Sequence, residues 1–127
     1  MILHPAVIVH GLADVRAAVA PGRPVTLLSA PGAGLYAGCL WWRSLVADVE
    51  GDSVLDCADG SGAALGALRV GVNRLVLWRE APGWDAVAAI AAGQGGVVLA
   101  AAPAALDMAE RGASRRLGTW LAGRGGA

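Results

Sequence analysis

The sequence predicts one α/β domain built on a five-stranded, mainly parallel sheet with helices on both faces. Three observations lead there. Apolar runs too short for helices begin near residues 6, 25, 54, 74 and 97. Each is followed by apolar residues at helical spacing. No hairpin turn joins one run directly to the next, so the connections are crossovers, which are right-handed in nearly all parallel sheets. A strand order of 2-1-3-4-5 is preferred, with a half-barrel as the rival.

The elements follow in order. Ala6-Val7-Ile8-Val9 is a strand buried on both faces and closed by His10-Gly11. Leu12, Val15 and Val19 mark a short helix that stops at Pro21-Gly22. Val25 to Leu28 is the second strand, ending at Ser29-Ala30-Pro31-Gly32. The second helix runs from about Ala33 to Val49, with Leu35, Cys39, Trp42, Val46 and Val49 on one stripe. Trp41 and Trp42 lie about 100° apart around that axis, so one of them falls at the edge of the buried face. Ser53 to Cys57 is the third strand, and Asp59 or Ser61 caps the helix carrying Leu65, Leu68 and Val72. Arg74 to Trp78 is the fourth strand; Pro82 opens the helix of Trp84, Val87 and Ile90. Val97 to Ala100 is the fifth strand. Pro103 begins a short helix to about Glu110, and Ser114 caps a weak last helix with Leu117, Trp120 and Leu121. The alternation resembles the architecture of flavodoxin-like domains and of half-barrels. That resemblance implies a fold and assigns no residue a role.

A chain of 127 residues suits one domain, expected over 1–122 with a frayed tail at 123–127. Its 56% hydrophobic content is at the apolar end for such a domain, and most of the excess is Ala, which is small and favours helices. Every cation is Arg, read here as codon bias. The formal net charge of zero argues against nucleic acid as a partner. The N-terminus lacks a cationic region ahead of an apolar one, so no signal peptide is expected. No apolar run reaches the roughly 20 residues a membrane span needs. Cys39 and Cys57 read as reduced thiols of a cytoplasmic protein.

Chemistry is expected where the strands end, because parallel strands gather their C-termini at one edge. That rim collects His10, Ser29, Asp56, Cys57, Asp59, Arg79 and Glu80. His10, Ser29, Asp56 and Asp59 are the catalytic candidates. They are weighed against the ordinary need of buried strands to end in polar, helix-capping residues. Ser29 is not in a G-x-S-x-G elbow, so no triad follows. Ser29, Gly32, Gly60, Ser61, Arg79 and Glu80 are candidates for holding a small anion, yet Ser29 to Gly34 lacks the Lys of a phosphate loop. Asp56 should be buried and partnered, first by amides at Gly60 to Gly62, then by His10, then by Arg79. His4 and His10 form no metal set, and neither metal nor cofactor is expected. Trp41, Trp78 and Trp120 lack obvious full burial and are candidates for an interface. Two functions remain open: a self-associating interaction or regulatory module, and a small enzyme or metabolite-binding domain using the rim.

Overall fold

The computed structural model describes residues 3–124. Strands β1 (Ala6–Val9), β2 (Thr26–Ser29), β3 (Asp52–Asp56), β4 (Arg74–Val76), β5 (Val97–Leu99) and β6 (Ala105–Asp107) form one sheet in the order β5-β4-β3-β2-β1-β6. Every pairing is parallel. The helices are α1 (Leu12–Val19), α2 (Ala33–Tyr36), α3 (Cys39–Leu45), α4 (Ser61–Arg69), α5 (Trp84–Gly93) and α6 (Ala113–Thr119).

The single parallel α/β domain stands, with three differences. The sheet has a sixth strand, where the Ala-rich stretch after Pro103 reads as a helix. The strand order is sequential, so β2 separates β1 from β3. And Gly38, at φ 90°, breaks the long second helix into α2 and α3. That backbone conformation is cheap only for glycine. Trp42 is buried and Trp41 half-buried beside it, their rings 5.8 Å apart, as the helical wheel requires.

Strand alternation divides the core in two. Val7, Val9, Leu27, Leu55, Leu75, Leu77, Val98 and Leu106 share one cluster with helix residues that include Val15, Ala33, Trp42, Leu68, Val87 and Leu117. The intervening positions Leu28, Val54 and Val76, with Ile8, Leu99 and Ala105 against them, form a second cluster that contains no helix residue. The helices therefore pack on one face, which sequential right-handed crossovers dictate.

The other face is nonetheless sealed: Val54 and Val76 have no exposed surface. The sheet achieves this by curling. In a flat sheet, β5 and β6 would lie at opposite edges, roughly 24 Å apart at about 4.8 Å per strand. Only residues 100–104 join them. They span at most about 20–22 Å, and they must also run back the length of a strand. Leu99 and Ala105 instead meet the same inner cluster. The result is a small curled sheet with helices outside, the half-barrel alternative. Each fully buried inner Val or Leu contributes about 1.5–3 kcal/mol.

Two residues along each strand, the inward row changes character. Below the apolar layer lie Thr26 and the ion pair of Arg74 with Asp52. Above it lie His10, Asp56, Trp78 and Asp107. At the C-terminal end, Trp120–Arg124 closes in a wider turn with Gly123 at φ 94°. Residues 125–127 of the expected tail lie outside the described residues, as do Met1 and Ile2.

Candidate functional site

The upper mouth of the curled sheet gathers its polar residues because each strand ends one step past its last buried inner side chain. On one side, His10 after β1 meets Asp107 at the end of β6, with Nε2 and Oδ1 2.6 Å apart. Asp107 Oδ1 also accepts the Ala109 N–H at 2.9 Å. Partial burial pushes the Asp107 carboxyl up, but the His10 and Ala109 donors outweigh it and hold the group below its ordinary value. An ionised carboxylate only accepts hydrogen bonds, so the His10 ring proton facing it sits on Nε2. Nδ1 is then a free lone pair when the ring is neutral. Asp14, in the first turn of α1, accepts the His10 backbone N–H and fixes the residue from below.

On the other side is Asp56, only 2% exposed. Its Oδ1 accepts N–H groups from Ala58 at 2.8 Å and Gly32 at 3.2 Å. Oδ2 takes no hydrogen bond among the described residues. Ser29 Oγ receives the Asp56 backbone N–H at 2.8 Å and donates to Ala30 O. Ala58 is held at φ 49°, the only positive φ of a non-glycine residue among those described. Its carbonyl accepts the Trp78 N–H at 2.8 Å, which extends the β3–β4 ladder to the mouth. Trp78 is 40% exposed there.

No family model, curated protein or solved structure matches the chain. What the mouth can do therefore rests on its own residues.

Of the rim candidates, His10 and Asp56 both reach the mouth, but not each other. His10 pairs with Asp107. Asp56 finds backbone amides, as expected, at Ala58 and Gly32 rather than at Gly60 to Gly62. The later amides are engaged elsewhere: Gly60 N–H donates to Cys57 O at 2.8 Å and Ser61 N–H to Asp59 O at 3.2 Å. Gly60 rather than Asp59 or Ser61 is the N-cap of α4, without a side-chain cap. Gly112, not Ser114, precedes α6.

Ser29 is buried, and its hydroxyl accepts one backbone N–H and donates to one carbonyl, which braces β2 against β3. The Ser29–Gly34 loop does hold an oxyanion, namely the chain's own Asp56, and its Gly32 amide is not free for a ligand. Asp59 and Glu80 are exposed. Arg79 stacks on Trp84 with its guanidinium 4.3 Å from the ring centre. Cys57 is buried beside Asp56, and desolvation followed by that charge pushes its thiol up to about 12, which makes it inert at neutral pH. Both cysteines are unpaired thiols.

Among the interface candidates, Trp120 gives its indole N–H to Ala6 O at 2.7 Å and braces β1 from α6. Trp41 packs against Trp42, which leaves Trp78 as the exposed one. Among the described residues no three His, Cys, Asp or Glu side chains gather as a metal set, and no helix is long and apolar enough to cross a membrane.

Asp107 was missed because its strand reads as a helix. A signal was present. Leu106-Asp107-Met108-Ala109 repeats the pattern of Leu55-Asp56-Cys57-Ala58. In both, Oδ1 of the Asp accepts the N–H two residues on. Such an Asx turn ends a strand as readily as it starts a helix.

Proposed function

We propose that the mouth of the curled sheet binds a small polar molecule and exchanges a proton with it through His10. The observation that carries this reading is the 2.6 Å contact of His10 Nε2 with Asp107. A carboxylate in that position sets the tautomer, orients the ring and leaves Nδ1 as the acceptor. Asp56 supplies a second carboxylate whose Oδ2 is unengaged, and Trp78 an exposed aromatic face. The competing account is that His10–Asp107 is only a latch between β1 and β6.

A thermal-shift screen of common metabolites, followed by NMR on the best binder, separates the two. Binding should move the His10 ring and Trp78 indole resonances, and Asp107→Asn should weaken it. Compounds that bind while leaving both resonances in place would overturn the proposal.

A second reading is self-association, favoured by a specific patch. Leu35, Tyr36 and Leu40, on α2 and the start of α3, are exposed, Tyr36 at 71%. No charged residue interrupts Pro31 to Trp42. In a twofold dimer a patch meets its own copy, so an uncharged apolar surface avoids like-charge opposition. Light scattering that gives a monomer at high concentration counts against this reading.

A further inference from the structure

The geometry points to a second binding site at the opposite end of the strands, for the anionic oxygen-bearing head group of a small metabolite. A cleft of about 330 Å³ opens there between α3, the start of β3 and the loops leading into β4 and β5. That volume is at the small end of metabolite pockets. Its charged lining residues are Arg43 and Arg74, and no carboxylate lines it. Asp52 neutralises Arg74 from the inner face of the sheet. Arg43 has no acidic partner among the described residues; one of its amino groups donates to Val70 O, which leaves other N–H groups to give.

The observation that points to a ligand is Trp42. It is 1% exposed and lines the cleft, yet its indole Nε1–H has no hydrogen-bond partner. A buried N–H is costly unless something accepts it. The indole groups of Trp84 and Trp120 are bonded to Leu77 O and Ala6 O.

Helix C-termini bring carbonyls toward this end of the sheet, which would repel an anion. The carbonyls here are largely engaged. Ala67 and Leu68 accept N–H groups from Val70, Gly71 and Val72, and Ala91 and Ala92 accept those of Gln94, Gly95 and Gly96. Gln94 O accepts the Asn73 side-chain amide, and Val70 O is held by Arg43. The lining offers donors in the spare N–H groups of Arg43 and the Ser53 hydroxyl, with the unpartnered Trp42 indole N–H buried behind them, beside one side-chain amide oxygen at Asn73. Small residues at Gly51, Gly71 and Gly95 keep the entrance open. A phosphoryl or carboxylate group presents acceptors to these donors and a charge opposite to that of Arg43.

The test is titration of the whole chain with inorganic phosphate and, separately, acetate at millimolar concentration, read by the tryptophan indole N–H resonances. Sodium chloride at matched ionic strength is the control. The site predicts a saturable shift of the Trp42 resonance with Trp84 and Trp120 unmoved. A response to phosphate assigns a phosphoryl head group, and one to acetate a carboxylate. Arg43→Gln changes an exposed residue and should fold, and it should weaken binding about tenfold. The inference is overturned if neither anion shifts Trp42 beyond the chloride control, or if Arg43→Gln binds as tightly as the wild type.

Discussion

Asp56 and Asp107 end two strands of one sheet with the same local pattern, Leu-Asp-x-Ala, and the same turn. Their surroundings make them different. Asp56 ends a central strand, is 2% exposed, and ties its own loop to the β2 loop through Gly32. Asp107 ends an edge strand, its side chain is 28% exposed, and beyond its own turn it holds the His10 ring. One local rule therefore yields a buried brace where strands flank it on both sides, and a partly exposed carboxylate paired with a histidine where one side is open. Position in the sheet, rather than residue type, sets whether the carboxylate ties two backbone loops together or also holds a side chain.

Removing each carboxylate should separate these roles most strongly. Asp56→Ala strands the buried Ala58 N–H and the partly buried Gly32 N–H and should cost about 2–4 kcal/mol. Asp107→Ala leaves groups that water can reach and should cost about 0.5–1.5 kcal/mol. Urea unfolding of both variants measures this. Equal losses would dissolve the distinction.

Close packing around Asp56 offers the next test. Gly34 passes so near β3 that an added Cβ would meet Cys57 Sγ at 2.8 Å and Asp56 O at 3.2 Å. Neither neighbour is the free end of a flexible chain. Gly34→Ala should therefore cost about 1–3 kcal/mol by overpacking. It should also broaden the NMR signals of Asp56 and Ala58 while leaving those of Asp107 sharp. Wild-type stability in this variant would show that the Asp56 loop is looser than its contacts imply.

These two regions also show how much of the molecule the sequence displays. The apolar run Val54-Leu55 before Asp56 marks a buried strand, and the cost of burying a carboxylate foretells backbone partners for it. The partner loop cannot be foretold, because Gly32 is brought in by strand order, and crossovers of similar length permit several orders. β6 is harder still. Three residues are too few for a period, and Pro103 among alanines imitates a helix start. Its strand character comes from pairing with β1, where Ala6, Val7 and Ile8 meet Ala105, Leu106 and Asp107. Half of the His10 pair was thus invisible, although the repeated Leu-Asp-x-Ala pattern could have raised it.

Acid should act on the Asp107 side with a definite sign. Its carboxyl is held below the ordinary value of 3.8 by His10 and Ala109, against the opposing effect of burial. A depressed folded-state pKa means the group stabilises the protein above its unfolded pKa and loses that contribution as pH falls through the folded value. The effect therefore lies below about pH 4. His10→Ala removes one of the donors, so the Asp107 carboxyl, followed by carbon-13 NMR, should titrate higher. The fall in urea midpoint below that pH should become shallower. An unchanged Asp107 titration would mean that Ala109 alone holds the charge, and His10 would lose its assigned partner.

The smallest effect concerns the alanine two residues past each Asp. Ala58 sits at φ 49°, while Ala109 has no such strain. Glycine at position 58 relieves a left-handed conformation worth about 1 kcal/mol, but loosens the unfolded chain by about 0.4–1 kcal/mol. The two nearly cancel, so Ala58→Gly should lie within about 0.5 kcal/mol of wild type. Ala109→Gly has only the unfolded-chain term and should be destabilising by about 0.4–1 kcal/mol. The buried site should thus tolerate the change better than the exposed one, the reverse of the usual order. Urea midpoints measured side by side decide it. If Ala58→Gly proves the worse of the two, the Ala58 methyl group packs more strongly than its backbone strains, and the brace around Asp56 owes more to side-chain contact than to the turn it shares with Asp107.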